Sequence, residues 1–299
     1  MMSLVDLLQQ SPVFLITLVG VIGLLVGSFL NVVVYRLPLM MQREWRKECL
    51  AYLASTGDFV LPAGAEQPDS TPFNLTLPLS RCSHCLTPIK PQHNIPVLSF
   101  LYLGGKCAHC QAKISLRYPL VEAFTAVLSV LVAWQLGFGI ALLWGLLLTW
   151  VLLTLSLIDF DHQLLPDSIT LPILWLGLLL SEFGIFTSTD SSILGAVAGY
   201  LSLWSVFQLF KLLTGKEGMG YGDFKLLALL GAWLGWQYLP MIILLSSLVG
   251  AIFGLAMIIL LGRDRSVPIP FGPYLAAAGW IALLWGGKLN LWYMHFVGL

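Results

Sequence analysis

The stretch AFTAVLSVLVAWQLGFGIALLWGLLLTWVLLTLSLIDFD, residues 123–161, contains no charged side chain before Asp159. Its charge-free part, from Ala123 to Ile158, is 36 residues long. A helix needs only about 20 apolar residues to cross a bilayer. Gly137 and Gly139 interrupt the run near its middle, where glycine favours a helix end. The stretch therefore predicts two transmembrane helices joined by a tight turn.

The rest of the chain has the same character. It is 58% hydrophobic and 10% charged, with a mean hydropathy of +0.87, whereas soluble domains are about a quarter charged. Residues 1–12 contain no Lys or Arg, so no cleavable signal peptide is predicted. The charge-free runs predict eight spans: 13–35, two within 123–158, 168–187, 191–210, two within 226–262 and 271–287. The pair within 226–262 is predicted to divide near Gly235 to Pro240, which makes its first span short.

The basic residues separate cleanly across these spans. With the N-terminus outside, 14 of the 15 Lys and Arg residues fall in inside segments, and only Lys288 is outside. Because cytoplasmic loops are enriched in Lys and Arg, both termini are predicted to face outside. The inside segments are 36–122, 159–167, 211–225 and 263–267.

The chain is thus predicted to have three parts. They are a first transmembrane span at 1–35, a cytoplasmic loop at 36–119 and a seven-span membrane domain at 120–290. Residues 55–73 of the loop are rich in Pro, Gly, Ser and Asp and are predicted to be irregular. No internal repeat is evident.

Four cysteines in the loop form two C-x2-C pairs, Cys82 with Cys85 and Cys107 with Cys110. Two such knuckles supply the tetrahedral set of thiolates that Zn²⁺ favours. The loop is on the reducing side, so disulfides are not expected. A site closed by four thiolates leaves no position for water, which favours a structural zinc over a catalytic one. His84 and His109 lie inside the knuckles as alternative ligands, and Cys49 is predicted to be an ordinary free cysteine. The fold class is therefore an all-α polytopic membrane protein with about eight transmembrane helices and a small cytoplasmic zinc-binding subdomain.

Three aspartates follow the third predicted span, in SLIDFDHQLLPDSITLP at 156–172. Asp159 and Asp161 are two residues apart, about 200° around a helix, so only one can face the interior of a helix bundle. The spacing does not say which. Asp167 follows Pro166 and is predicted to cap the next helix by accepting backbone N–H bonds.

A second aspartate motif is GMGYGD at 218–223, which opens a short apolar run. Irregular, glycine-rich backbone at this depth is tolerated only inside protein or beside a water-filled cavity. Two carboxylates held close across such a cavity share a proton, as in aspartic proteases. The two motifs therefore predict a carboxylate pair formed by Asp223 and one of the aspartates at 159 and 161.

In this order, the motifs resemble the type IV prepilin peptidases, a family of G-x-G-D aspartic proteases. The resemblance covers nearly the whole chain. It rests on GSFLNVVVYRLP (27–38), the cysteine loop, SLRYPLVEAFTA (115–126), DFDHQLLPD (159–167), GYGDFKL (220–226) and PIPFGPYLAAAG (268–279).

The resemblance implies a bifunctional enzyme of the bacterial inner membrane. Such an enzyme cleaves the leader of type IV prepilins and type II secretion pseudopilins on the cytoplasmic side, and then N-methylates the new N-terminal residue with S-adenosylmethionine. It assigns the catalytic roles to Asp159 and Asp223. The implied partners are these substrates and membrane lipid, with no nucleic acid. The chain has no recognisable nucleotide-binding motif for the methyl donor, and LGGKC (103–107) is only a candidate site.

Two interpretations from other classes compete with this one. In an ion- or proton-coupled transporter, Asp159, Asp161 and Asp223 would line the path, but all of them lie toward the inner face and none is at mid-span. A membrane scaffold would dock a partner through the zinc loop, but it leaves both aspartate motifs unexplained.

Overall fold

The computed structural model describes residues 4–56, 73–216, 218–262 and 269–297. These residues are mostly helical and contain no β-strand, which confirms the all-α prediction. Most of the predicted irregular segment 55–73, together with Arg263 and Arg265, lies outside the described residues. The helices are α1 Leu4–Gln10, α2 Pro12–Thr56, α3 Leu98–Tyr102, α4 Arg117–Leu136, α5 Ile140–His162, α6 Asp167–Ser181, α7 Thr189–Thr214, α8 Tyr221–Leu234, α9 Leu239–Leu261 and α10 Gly272–Val297.

Several helices have the length and composition of membrane spans. In the described ranges, five stretches are long and apolar enough to cross a bilayer: Pro12–Ser55, Arg117–Leu136, Ile140–His162, Thr189–Thr214 and Trp236–Leu260. The protein is therefore a multi-pass membrane protein. Helices α6 and α8 have 15 and 14 residues, fewer than a full crossing needs. The count of eight spans stays a prediction.

The two predicted breaks within long apolar runs are confirmed. Helix α4 ends one residue before Gly137, which has a φ of +66°. Helix α8 ends one residue before Gly235, which has a φ of +92°. Glycine adopts this left-handed region without steric cost, so the chain turns there and begins a new helix.

Helix α2 does not end at Tyr35, where the first span is predicted to end. It continues through Pro38 to Thr56 and has 45 residues, a length of about 67 Å. Residues 42–49 of this extension are exposed. Its Arg, Lys, Glu and Gln side chains are good helix formers, so a polar stretch that suggested a loop continues the helix instead.

The chain divides into two compact units, residues 1–20 with 128–299 and residues 21–127. This division passes through α2 and α4. The predicted boundaries at 35 and 119 refer to the membrane surface, and they stay predictions.

In the larger unit, α8 is the central helix. Every residue from Leu226 to Leu234 is buried, as expected for a helix that is apolar on all sides. Helix α7 approaches it closely because Gly195 and Gly199 face the backbone at Gly231 and Leu227. Helix α6 packs on another side, where Trp233 Nε1 donates to the Ile173 carbonyl at 2.8 Å.

In the smaller unit, two buried charged side chains hold loop backbone. The Arg36 guanidinium donates to the carbonyls of Asn74 at 2.9 Å and Pro78 at 2.6 Å. The Glu122 carboxylate accepts the backbone N–H of Val97 at 2.7 Å. These contacts attach the cysteine loop to α2 and α4, since Arg36 and Glu122 belong to those helices.

Candidate active site and metal centre

The structure distinguishes Asp159 from Asp161. Both lie in the last turn of α5, but Asp159 is only 5% exposed whereas Asp161 is exposed. The Asp159 carboxylate accepts a hydrogen bond at 3.0 Å from the backbone N–H of Gly272, the first residue of α10. Asp159 is therefore the aspartate that faces the bundle interior, a choice that spacing alone left open.

Asp223 lies in the first turn of α8 and is 8% exposed. The turn is held by an aromatic cluster in which the Phe207 ring of α7 lies 5.4 Å from Tyr221 and 5.6 Å from Phe224 between centroids. A carboxylate in the first turn also benefits from the positive end of the helix dipole. Packing and helix geometry together fix Asp223 at this helix start.

The two buried aspartates are brought together around Leu165, in the turn after α5. A methyl group placed on Gly222 would lie 2.8 Å from Leu165 Cβ, and one placed on Gly272 would lie 3.3 Å from Leu165 Cδ1. Leu165 thus bridges the backbone beside Asp223 and the backbone bound to Asp159.

The prediction that Asp167 caps the following helix is wrong. Asp167 is the first residue of α6, the N-cap position is Pro166, and no side chain caps the helix start. Both carboxylate oxygens of Asp167 instead accept from Lys225 Nζ, at 2.7 and 2.8 Å. Lys225 belongs to the first turn of α8, and its full charge outcompetes backbone N–H groups for the carboxylate. Sequence reasoning gave Lys225 no role.

The four cysteines of the loop lie together as their spacing predicts. Their sulfur atoms are all within 4.8 Å of one another, and the Sγ atoms of Cys82 and Cys110 are 3.8 Å apart. Zn–S bonds of about 2.3 Å in a tetrahedron place neighbouring sulfurs about 3.8 Å apart. Four thiolates gathered in this way suit a tetrahedral zinc ion, and the Cys82–Cys110 distance matches that geometry. Cys49 is an exposed free cysteine.

The two knuckles repeat one another, which corrects the statement that the chain has no internal repeat. Cys82 N–H donates to Thr87 O and Leu86 N–H to Cys82 O, while 25 residues later Cys107 N–H donates to Ala112 O and Gln111 N–H to Cys107 O. The signal was present in the sequence as RCSHCLTPI (81–89) and KCAHCQAKI (106–114). This repeat is only nine residues long, so it is easily overlooked in a chain made mostly of apolar spans.

Hydrogen bonds to Cys82, Cys85 and Cys107 favour metal binding by these three sulfurs. The backbone N–H groups of His84 and His109 donate to Cys82 Sγ and Cys107 Sγ, both at 3.4 Å. Hydrogen bonds from Thr87 lower the pKa of the Cys85 thiol to about 6. Backbone hydrogen bonds from Cys110 and His109 lower the pKa of Cys107. Each of these contacts favours the thiolate, which is the form that binds metal.

The glycine pair proposed for the methyl donor has a local explanation. Gly104 and Gly105 have φ values of +59° and +70° and end α3, where the Gly105 N–H donates to the Phe100 carbonyl at 2.9 Å. They close the end of this helix, and the candidate site for S-adenosylmethionine at LGGKC stays a prediction.

Comparison with known proteins gives matches over the whole length of the chain. The profile described as Bacterial Peptidase A24 N-terminal domain matches residues 21–136, and that of the Type IV leader peptidase family matches residues 146–255. A relative from Pseudomonas aeruginosa, named Prepilin leader peptidase/N-methyltransferase, is 57% identical over 298 residues, which is 99% of each chain. The chain belongs to the type IV leader peptidase family.

Other family members with the same name are nearly as similar. The one from Stutzerimonas stutzeri is 55% identical over 100% of both chains, and the one from Aeromonas hydrophila is 55% identical over 98% of this chain and 99% of its own. No solved structure matches this chain. The cysteine cluster falls in the first matched region and both buried aspartates in the second.

Proposed function

We propose that this protein is a membrane aspartic endopeptidase and N-methyltransferase. It cleaves the leader peptide of type IV prepilins and type II secretion pseudopilins, and it then methylates the new N-terminus with S-adenosylmethionine. The observation that carries the peptidase half is that Asp159 and Asp223 are buried on different helices and that both sites border Leu165. The names of the relatives support both halves.

The aspartate pair performs the hydrolysis. Two carboxylates held close share one proton, because both cannot be ionised together at low cost. The ionised aspartate takes a proton from water, and the water oxygen forms a bond to the scissile carbonyl carbon. The protonated aspartate donates to the carbonyl oxygen. The C–N bond then breaks, and the leaving nitrogen takes a proton from the pair. No step requires a metal ion.

The substrate chemistry suits this location. A leader that is polar and basic stays in the cytoplasm, while the apolar helix that follows it enters the membrane. The bond between them then lies at the inner membrane surface, where both aspartate motifs are predicted to lie. We infer an inner-membrane protein with periplasmic termini, a cytoplasmic active site, and lipid as its other partner.

The four cysteines hold one structural zinc ion in this account. With four thiolates bound, zinc has no position for water, so its contribution is to fold the loop. S-adenosylmethionine supplies a methyl group that is readily transferred to an amine. No residue of the chain is assigned to its binding. The transporter interpretation finds no support among the relatives.

To test this proposal, the full-length protein in detergent is mixed with a purified prepilin, with and without S-adenosylmethionine. Mass spectrometry then measures the mass of the product. We expect loss of the leader in both mixtures and the added mass of one methyl group only when the donor is present. An intact prepilin in both mixtures would contradict the peptidase, and a cleaved but unmethylated product would contradict the methyltransferase.

A further inference from the structure

Helix α10 begins directly against the catalytic carboxylate. The backbone N–H of Gly272 donates to Asp159 Oδ2 at 3.0 Å, and this contact joins residues 113 positions apart in the chain. Gly272 lies beyond both regions matched by the family profiles. The PFGP segment that contains it, residues 270–273, has no assigned role in the proposed reaction.

The first turn of α10 offers few backbone donors besides that of Gly272. Pro273 has no N–H, while Tyr274 and Leu275 donate to the Phe271 carbonyl at 3.1 and 3.2 Å. The first N–H groups of a helix have no partner within the helix, and the one at Gly272 is satisfied by Asp159. This end of α10 is therefore built around the carboxylate.

The contact requires glycine at position 272. A Cβ atom there would lie 2.6 Å from Asp159 Oδ2 and 3.3 Å from Leu165 Cδ1, and the first of these distances is shorter than real Cβ contacts. Leu165 cannot move away freely, because it also packs against Gly222, next to Asp223. A side chain at 272 would therefore displace the Asp159 carboxylate.

A second contact keeps α10 in register on α5. Trp280 Nε1 donates to Thr149 Oγ1 at 3.1 Å. Trp280 lies further along α10 than Gly272, while Thr149 lies earlier in α5 than Asp159, so the two helices are antiparallel. Because α5 and α10 are hydrogen-bonded at two points along their length, the Gly272 N–H has a fixed position relative to Asp159.

We propose that Gly272 is a positioning residue for the peptidase reaction. Its N–H can only donate, so Oδ2 of Asp159 is held as an acceptor. The other oxygen, Oδ1, is left for water and for the proton shared with Asp223. This assignment rests on the proposed function, because it has meaning only if Asp159 and Asp223 hydrolyse the leader bond.

The test is the variant Gly272→Ala, assayed as full-length protein with purified prepilin. We expect kcat for cleavage to fall about 100-fold, as expected when a reacting group is displaced by about 1 Å. KM should stay within about twofold, since the interactions lost are those made in the transition state. Methyl transfer to an already cleaved pilin should stay at the wild-type value, and the thermal midpoint should fall by no more than it does in the packing control described next.

The matched control is Gly279→Ala on the same helix, where a Cβ would meet the Leu230 side chain and not a carboxylate. We expect this packing change to lower the thermal midpoint and to reduce both activities together. A Gly272→Ala variant with wild-type kcat would overturn the proposal. Parallel losses of both activities and of stability, as in the control, would also overturn it, because position 272 would then act in packing only.

The wild type and Asp223→Asn separate this proposal from the proposed function. If the wild type does not cut, or if Asp223→Asn still cuts, the peptidase assignment itself fails. If the wild type cuts, Asp223→Asn does not and Gly272→Ala keeps its kcat, only the role of Gly272 fails.

Discussion

Three aspartates within nine residues have three different environments. Asp159 is buried and accepts a backbone N–H, Asp161 is exposed, and Asp167 pairs with Lys225 while 52% exposed. An exposed ion pair of this kind contributes only about 0–1 kcal/mol to stability. Asp167 is therefore explained as a residue that links α6 to α8 through Lys225. Burial of a carboxylate is far more costly. In the proposed peptidase, pairing with Asp223 gives this burial a functional explanation.

At the zinc site we expect one zinc ion per chain in purified protein, and its loss in Cys82→Ser. The variant leaves three thiolates for a site that needs four ligands. Elemental analysis of the detergent-purified protein measures the ratio. Cys49→Ser is the control, since Cys49 lies outside the cluster and should keep full zinc. Equal zinc in both variants would contradict the assigned ligands.

How much of the site could be predicted differs from residue to residue. The cysteine spacing was sufficient to predict the metal site, because each knuckle is a local structure closed by its own backbone hydrogen bonds. The choice between Asp159 and Asp161 was not available from spacing, since it depends on where α10 packs. Gly272 and Lys225 were missed for the same reason. Their partners are 113 and 58 residues away.

At the level of elements, the α7–α8 contact determines where Asp223 lies. The two helices touch backbone to backbone at Gly195 and Gly231, and Ser192 Oγ donates to the Ala232 carbonyl. Small residues allow such approach within membranes, where close packing replaces the hydrophobic effect. The short central helix is thus held along its length by its neighbours.

This contact makes a direct prediction for Gly195→Ala. The added Cβ would meet backbone atoms of Gly231 and Trp236, which cannot rotate away, so we expect a loss of about 1–3 kcal/mol of stability. Thermal unfolding in detergent measures it. The control is Gly287→Ala, which has no neighbouring atom within 4 Å and should unfold at or above the wild-type midpoint. Equal midpoints for the two variants would contradict the close contact.

The elements themselves were largely predictable where composition changes sharply. The breaks at Gly137 and Gly235 were readable because glycine interrupts apolar runs. The extension of α2 to Thr56 was not, because its charged residues suit both a solvated helix and a loop. The start of α6 was located correctly, but Lys225 holds Asp167 away from the predicted capping contact.

For the whole molecule, helix directions agree with a chain that crosses in alternation. Helix α8 is antiparallel to α7, since residues 195 and 199 face 231 and 227. It is parallel to α6, where Asp167 and Ile173 meet Lys225 and Trp233. Helix α10 is antiparallel to α5. These relations are those of successive spans that alternate in direction.

The predicted orientation can be tested with reporter fusions. With both termini periplasmic, alkaline phosphatase fused after Leu299 should be active, and the same reporter fused after Thr56 should be inactive. The reason is that 14 of the 15 basic residues lie in the segments predicted to be inside, and Lys and Arg are enriched in cytoplasmic loops. The opposite pattern would place the aspartate pair on the periplasmic side and contradict the proposed site of cleavage.

The most direct test of the central claim is cleavage of purified prepilin by Asp159→Asn, Asp223→Asn and Asp161→Asn. Each change removes one carboxylate with almost no change in shape, and thermal midpoints establish that each variant is folded. We expect the first two to lose at least about 100-fold in kcat, while Asp161→Asn stays within about twofold of wild type. Cleavage at the wild-type rate by Asp159→Asn or Asp223→Asn would contradict the aspartate pair.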